Sequence, residues 1–197
     1  MKVFKFGGAS VKDAESVKNI VRILKHEGYT NTVIVISAMG KMTNAFENII
    51  NTYYYKSDEL SATIAFVRNF HLNLIDNLFE NKKPSIVLEV EHLFGQLSGF
   101  LASNKTSDYN FIYDQIVGFG ELLSTKIVSG FLNEVGISNN WVDVREHVKT
   151  DASFRNATVN WEQTIKNIKT LNTRNLVITQ GFLASNNKQQ TTSLGRE

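Results

Sequence analysis

Short apolar runs that alternate with longer stretches of helical periodicity constrain this chain more than any other feature. Val3–Phe6 runs into Gly7-Gly8, and a pattern with Val17, Ile20, Val21 and Leu24 on one face follows, stopping at Gly28. Thr32–Ile36 (TVIVI) is the second run, followed by a Ser37–Lys41 loop and a helical pattern from Met42 onward. A continuous β-branched run predicts a buried strand, and strands that alternate with helices predict a parallel sheet. The alternation resumes with a strand at Trp141–Val144, a helix at Asn160–Leu171 and a strand at Leu176–Thr179. The predicted fold class is therefore α/β with a mostly parallel central sheet.

The middle of the chain breaks this rhythm. Residues 58–108 are long, helical and charge-dotted, with Ile64, Val67, His71, Ile75 and Leu78 on one stripe. Pro84 marks a turn before a second helix, because proline suits a first helical position and no later one. Residues 58–108 thus read as a helical hairpin inserted into the α/β frame. A further helix over 109–135 carries Ile116, Leu123, Ile127 and Phe131 and ends at Gly136; Ser185–Gln190 is polar and turn-like. No helix follows the last predicted strand, and a parallel sheet needs cover on both faces, so the sheet is expected to be incomplete at the C-terminus.

Composition narrows the function classes. A hydrophobic content of 42% and a charged content of 20% suit a globular chain, not a disordered one. With 21 Lys and Arg against 19 Asp and Glu, the net charge of +2 offers no basic face for nucleic acid. The absence of cysteine excludes a disulfide framework, a thiolate nucleophile and a Cys-ligated metal. His26, His71, His92 and His147 are scattered, so no metal site is expected. No apolar run approaches the length that crosses a bilayer, and MKVFKFGGAS turns polar after six residues. No membrane partner and a cytoplasmic location are expected.

Four loops could carry chemistry. In Lys5-Phe6-Gly7-Gly8-Ala9-Ser10, glycines let backbone N–H groups approach an anion and Lys5 adds a full charge; the alternative is a plain strand–helix turn. Ser37–Asn44 (SAMGKMTN) again opens a helix after a strand, where open α/β sheets place ligands, although capping by Thr43 or Asn44 would explain it too. Gly118-Phe119-Gly120-Glu121 sets two helix-weakening glycines beside a carboxylate, which means either close packing with a ligand or a surface glutamate at a helix crossing. Thr179–Phe182 and Thr191–Arg196 form the fourth, and Arg196 suits a carboxylate or phosphate.

In their order, KFGGASV (5–11), SAMGKMTN (37–44), GELLST (120–125), WVDVREHVKTDASFRNA (141–157) and VITQGFLASNNKQQTTSLGRE (177–197) resemble the aspartokinases of the amino acid kinase family. The lysine-pathway monofunctional type is the nearest in pattern. The resemblance implies an amino acid kinase-like three-layer sandwich, of which 1–197 would be the N-terminal, amino-acid-substrate part. A nucleotide-binding half and ACT regulatory domains would follow, and the 197-residue chain alone is expected to be inactive. The implied reaction moves the γ-phosphoryl of ATP, with Mg2+, to the side-chain carboxylate of L-aspartate. It gives 4-phospho-L-aspartate at the head of lysine, threonine and methionine biosynthesis; a homodimer is implied only for the full-length enzyme.

By the same resemblance Lys5 is catalytic and contacts the ATP phosphates, with Gly7, Gly8 and Ser10 supplying the cradle. Ser37, Thr43, Glu121, Phe182 and Arg196 would bind aspartate, Glu121 taking its ammonium and Arg196 a carboxylate. The sequence departs from the family pattern at Ala9, Phe119, Arg155, Gln189, Gln190 and Ser193; Arg155 and Gln189 stand where glycine is common. The alternatives are another amino acid kinase, for glutamate or N-acetylglutamate, and a non-catalytic amino-acid-binding module. Glu121 separates the N-acetylated substrate, which has no ammonium to offer it.

Overall fold

A strand–helix–strand crossover that returns the chain in the same direction produces parallel pairing. In the computed structural model, which describes residues 1–79 and 85–195, β1 (Lys2–Phe6), β2 (Thr32–Ile36), β3 (Asn139–Trp141) and β4 (Leu176–Gln180) form one sheet. Its order is β1-β2-β4-β3 and every pair is parallel. Phe6 lies beside Ile36, and Ile36 beside Gln180, so the carboxyl ends of three strands share one edge.

The first helices are α1 (Ala14–Glu27), α2 (Met42–Tyr55), α3 (Leu60–Leu78) and α4 (Ser85–Ser103). Asp13 starts α1 by accepting from Ser16 N, and Gly28, with φ at 72°, stops it. Phe6, Ile34, Ile36 and Ile178 of the sheet join a single core with Leu24 of α1 and Phe46 and Ile50 of α2. β2 is buried on one face only: Thr32, Ile34 and Ile36 are covered, while Val33 and Val35 are half-buried. Val3, 59% exposed, and exposed Lys5 alternate onto that less covered face of β1. The β-branched run predicts the strand; its uncovered face is set by packing partners that lie elsewhere in the chain.

α3 and α4 form the predicted hairpin, and Arg68 Nε donates to Glu91 Oε2 across it at 2.8 Å. Pro84 and the predicted turn at 81–84 lie outside the described residues. The predicted 109–135 helix is two helices, α5 (Tyr109–Val117) and α6 (Phe119–Glu134), which meet at Gly118. A Cβ on Gly118 would stand 3.2 Å from both Leu183 Cδ2 and Thr191 Cγ2, so the break lies where another segment presses on the helix. The strand predicted over 141–144 ends at Trp141, because Asp143 accepts from Arg145 N and caps the short α7 (Val144–His147). Asn160 caps α8 (Trp161–Ile168), which ends three residues earlier than predicted. Ser185–Gln190 belongs to an antiparallel hairpin of β5 (Leu183–Ser185) and β6 (Thr191–Ser193).

His71 gives this core a pH dependence. Its ring is fully buried against Phe46, Phe70 and Phe94, Nδ1 bonds to Val67 O at 2.8 Å, and Nε2 has no hydrogen-bond partner among the described residues. Burial pushes its pKa down from 6.5 to about 4. Between these values the unfolded chain binds the proton and the folded chain does not, so stability falls as pH drops through that window and levels off below it. The loss is about 3 kcal/mol at 1.36 kcal/mol per unit. Urea midpoints from pH 7 to 4 are expected to fall more steeply for the wild type than for His71→Leu; parallel slopes would assign the effect to another group.

Candidate active site

Three loops leave the shared strand edge and are stitched together by their own backbones. Ser37 N donates to Phe6 O at 3.1 Å and Gly181 N to Ile36 O at 3.2 Å, continuing the sheet pairing past the strand ends. Gly40 N donates to Gly8 O at 3.0 Å. A Cβ on Gly8 would meet Gly40 O at 2.8 Å and Ala38 O at 2.9 Å, so this clasp closes only over glycine. The first loop's Gly8 thus serves loop-to-loop approach, a use beyond the anion approach and the plain strand–helix turn that the sequence offers.

The loops surround a cavity of about 760 Å³, within the size range of small-molecule sites. Of the predicted site residues, Lys5, Ser37, Thr43, Glu121 and Phe182 line it. Gly7, Gly8 and Ser10 form the adjoining turn, with Ser10 N bonded to Gly7 O at 2.8 Å, and do not line the wall. Arg196 lies outside the described residues; the wall on its side of the chain is Leu194 and Gly195. Lys41 and Asn44 also line the cavity; the sequence offers Asn44 only as a possible cap and assigns Lys41 no role. Lys41 stands at the N-cap of α2, where the Ser37 loop meets the helix, whereas Lys5 lies within β1 one residue before its end.

Glu121 is not a surface residue: it is 3% exposed, in the first turn of α6. Its Oε1 accepts from Ala38 N at 3.3 Å, and one turn further along the Ser124 hydroxyl donates to Ser37 O at 2.8 Å. Gly120 makes this contact possible, since a Cβ there would stand 3.0 Å from Ala38 Cβ. The helix is fixed in turn by Thr125 Oγ1, which donates to Glu121 O and accepts from both Gln180 Nε2 and Trp141 Nε1. α2 starts at the cavity without a side-chain cap, so Thr43 and Asn44 do not serve the capping role open to them. Phe182 holds φ at 67°, a region costly for a bulky residue and one that clusters at functional sites. Arg155 and Gln189, standing where glycine is common in the family pattern, also have positive φ, at 69° and 61°. The cavity therefore sets two amines, Lys5 and Lys41, in one wall system with a buried carboxylate, a charge set suited to a zwitterion bearing extra negative charge.

The model of the amino acid kinase family matches residues 1–196. Lysine-sensitive aspartokinase 3 of Escherichia coli is 28% identical over 200 residues, covering 98% of this chain and 43% of that protein. Chloroplastic aspartokinase 1 of Arabidopsis thaliana is 32% identical over 148 residues, 73% of this chain and 25% of its own length. The crystal structure of E. coli aspartokinase III in complex with aspartate and ADP superposes with a TM-score of 0.88 at 28% identity, covering all of this chain and 44% of that one. The chain thus spans less than half the length of these relatives.

Proposed function

The chain belongs to the amino acid kinase family, and on that premise we propose that it carries the amino-acid side of an ATP-dependent aspartate kinase. The observation that carries the reading is the cavity at the carboxyl ends of β1, β2 and β4, with Lys5 and Lys41 amines and the buried Glu121 carboxylate in its walls. Aspartate has one ammonium and two carboxylates, which is the complement of that set. Solved relatives that hold aspartate, or aspartate and ADP, support the same ligand class.

In the proposed reaction an oxygen of the aspartate side-chain carboxylate attacks the γ-phosphorus of ATP. The bond from that phosphorus to the β–γ bridging oxygen breaks, and ADP leaves with the electron pair. The nucleophile is already ionised at neutral pH, so no general base is required. What remains for the protein is placement and charge. Glu121 would hold the ammonium; Ser37 and Thr43 would orient the carboxylates, and Arg196 would bind one of them. Phe182 would close the site over the substrate. Lys5 would oppose the charge on the transferring phosphoryl, with Gly7, Gly8 and Ser10 beside it. Family membership carries ATP, typically with Mg2+, as the donor. No three His, Cys, Asp or Glu side chains stand together to hold an ion among the described residues, so the ion would arrive on the phosphates. There it would neutralise phosphate charge. No described helix is long and apolar enough to cross a membrane.

Calorimetric titration of the chain with L-aspartate tests the reading, with N-acetylglutamate as the control. Saturable aspartate binding and no binding of N-acetylglutamate are expected. The reverse preference would assign the cavity to a different carboxylate.

A further inference from the structure

The cavity wall formed by Leu194 and Gly195 is held by a helix, not by the main sheet. β6 pairs on one edge with β5, and on its other edge no strand follows among the described residues. Side chains of α5 take that place. Gln115 Nε2 donates to Thr191 O at 2.8 Å, and its Oε1 accepts from Thr191 N at 3.1 Å. Two residues along, Asp114 Oδ2 accepts from Ser193 N at 2.9 Å and Oδ1 accepts from the Ser193 hydroxyl at 2.6 Å. Asp114 Oδ2 also accepts from Arg155 N at 2.8 Å, in the loop where Arg155 holds its positive φ.

Asp114 is 1% exposed, and a buried carboxylate persists only when its lone pairs are filled. Here three donors fill them, and none belongs to the chemistry assigned above. Burial pushes its carboxyl above the usual range, and the same three bonds oppose that shift. From Ser193 the connection runs into the cavity: Leu194 N donates to Phe182 O at 3.0 Å, and Leu194, Gly195 and Phe182 all line the wall. Gly118, four residues after Asp114, lets Leu183 and Thr191 seat against the helix break.

We propose that Asp114 is a positioning residue of the substrate cavity, clamping the end of β6 so that Leu194, Gly195 and the strained Phe182 form its wall. The proposal rests on the reading of this cavity as the amino-acid site. It also rests on the acceptor oxygens of Asp114: Oδ2 takes two backbone N–H groups, which an asparagine oxygen could still do while the Ser193 hydroxyl turns to accept from the amide nitrogen, and alanine supplies neither oxygen.

Amide hydrogen exchange on this chain, wild type against Asp114→Ala, reads the clamp without any ligand, and Asp114→Asn, which keeps an acceptor for both backbone N–H groups, is expected to restore most of the protection. In Asp114→Ala, exchange at Ser193, Leu194 and Gly195 is expected to rise at least tenfold, while amides of β4 and α6 keep their protection. In the gene product as naturally encoded, the aspartate KM is expected to rise tenfold or more with kcat and the ATP KM within twofold. Unchanged exchange at 193–195 would overturn the clamp, as would a rise spread over the whole chain. A local rise with an unchanged aspartate KM would overturn its link to the site. A local rise in a protein that takes no aspartate would support the clamp and remove aspartate as the ligand. Should Asp114→Ala fail to fold, Gln115→Ala decides: faster exchange confined to 191–195 supports the clamp, and none overturns it.

Discussion

Replacing Lys5 by alanine is expected to lower kcat for phosphoryl transfer to aspartate by about 100- to 1,000-fold, the loss typical of removing one charge-stabilising donor from a transition state. The reasoning starts from β1. Parallel pairing sets Lys5 beside Val35, one residue before the strand end, and Val35 and Lys5 both line the cavity. The side chain is exposed, so its removal takes nothing from the core. The melting temperature should stay close to that of the wild type, since surface substitutions are usually worth within about 0.5 kcal/mol. Lys5→Arg keeps the charge in a planar, bulkier group and should recover part of the rate. Steady-state kinetics on the naturally encoded gene product at saturating ATP and aspartate, alongside thermal melts, separate the two effects. An undiminished kcat in a folded Lys5→Ala protein would remove Lys5 from the reaction.

The fold was legible where a local rule and its tertiary outcome coincide. β2 matches its predicted bounds and β1 and β4 lie within one residue of theirs, because short apolar, β-branched runs have few other uses. The α5–α6 break was not legible. Gly118 keeps helical angles, φ −57° and ψ −20°, so side-chain periodicity runs through it, and the interruption comes from Leu183 and Thr191, more than sixty residues away. The β5–β6 hairpin was missed for a related reason. Its strands have three residues each, and Thr191, Thr192 and Ser193 are buried despite their polarity. Their partners are the side chains of Gln115 for Thr191, Thr150 for Thr192 and Asp114 for Ser193, which no periodicity announces.

The site was legible in its loops and less so in its residues. Motif order pointed to the strand ends, and the structure gathers Lys5, Ser37, Thr43, Glu121 and Phe182 around one cavity. Lys41 sat inside a quoted motif without a role, because nothing local distinguishes a cavity lysine from a solvated one. Glu121 was open between surface and interior, and its burial depends on Gly120 meeting Ala38, a contact across more than eighty residues.

Glu121 also supplies the sharpest test of the substrate assignment. Glu121→Gln is the informative change, since an alanine would leave a void and strip Ala38 N of its acceptor. Glutamine keeps the size and the oxygen that faces Ala38 N, removes the charge and puts an amide donor where the second carboxylate oxygen stood. A hydrogen bond to a charged group is worth about 1.5–3 kcal/mol, so aspartate affinity should fall by about 10- to 100-fold. ATP affinity should stay within about twofold, because the proposed contact is with the ammonium alone. Titration of the chain with aspartate reads the first effect, and the ATP KM of the naturally encoded gene product reads the second. Equal weakening of both ligands would mean that the substitution disturbs α6 against the Ser37 loop. Unchanged aspartate binding would show that the ammonium sits elsewhere, and the aspartate orientation proposed above would fall with it.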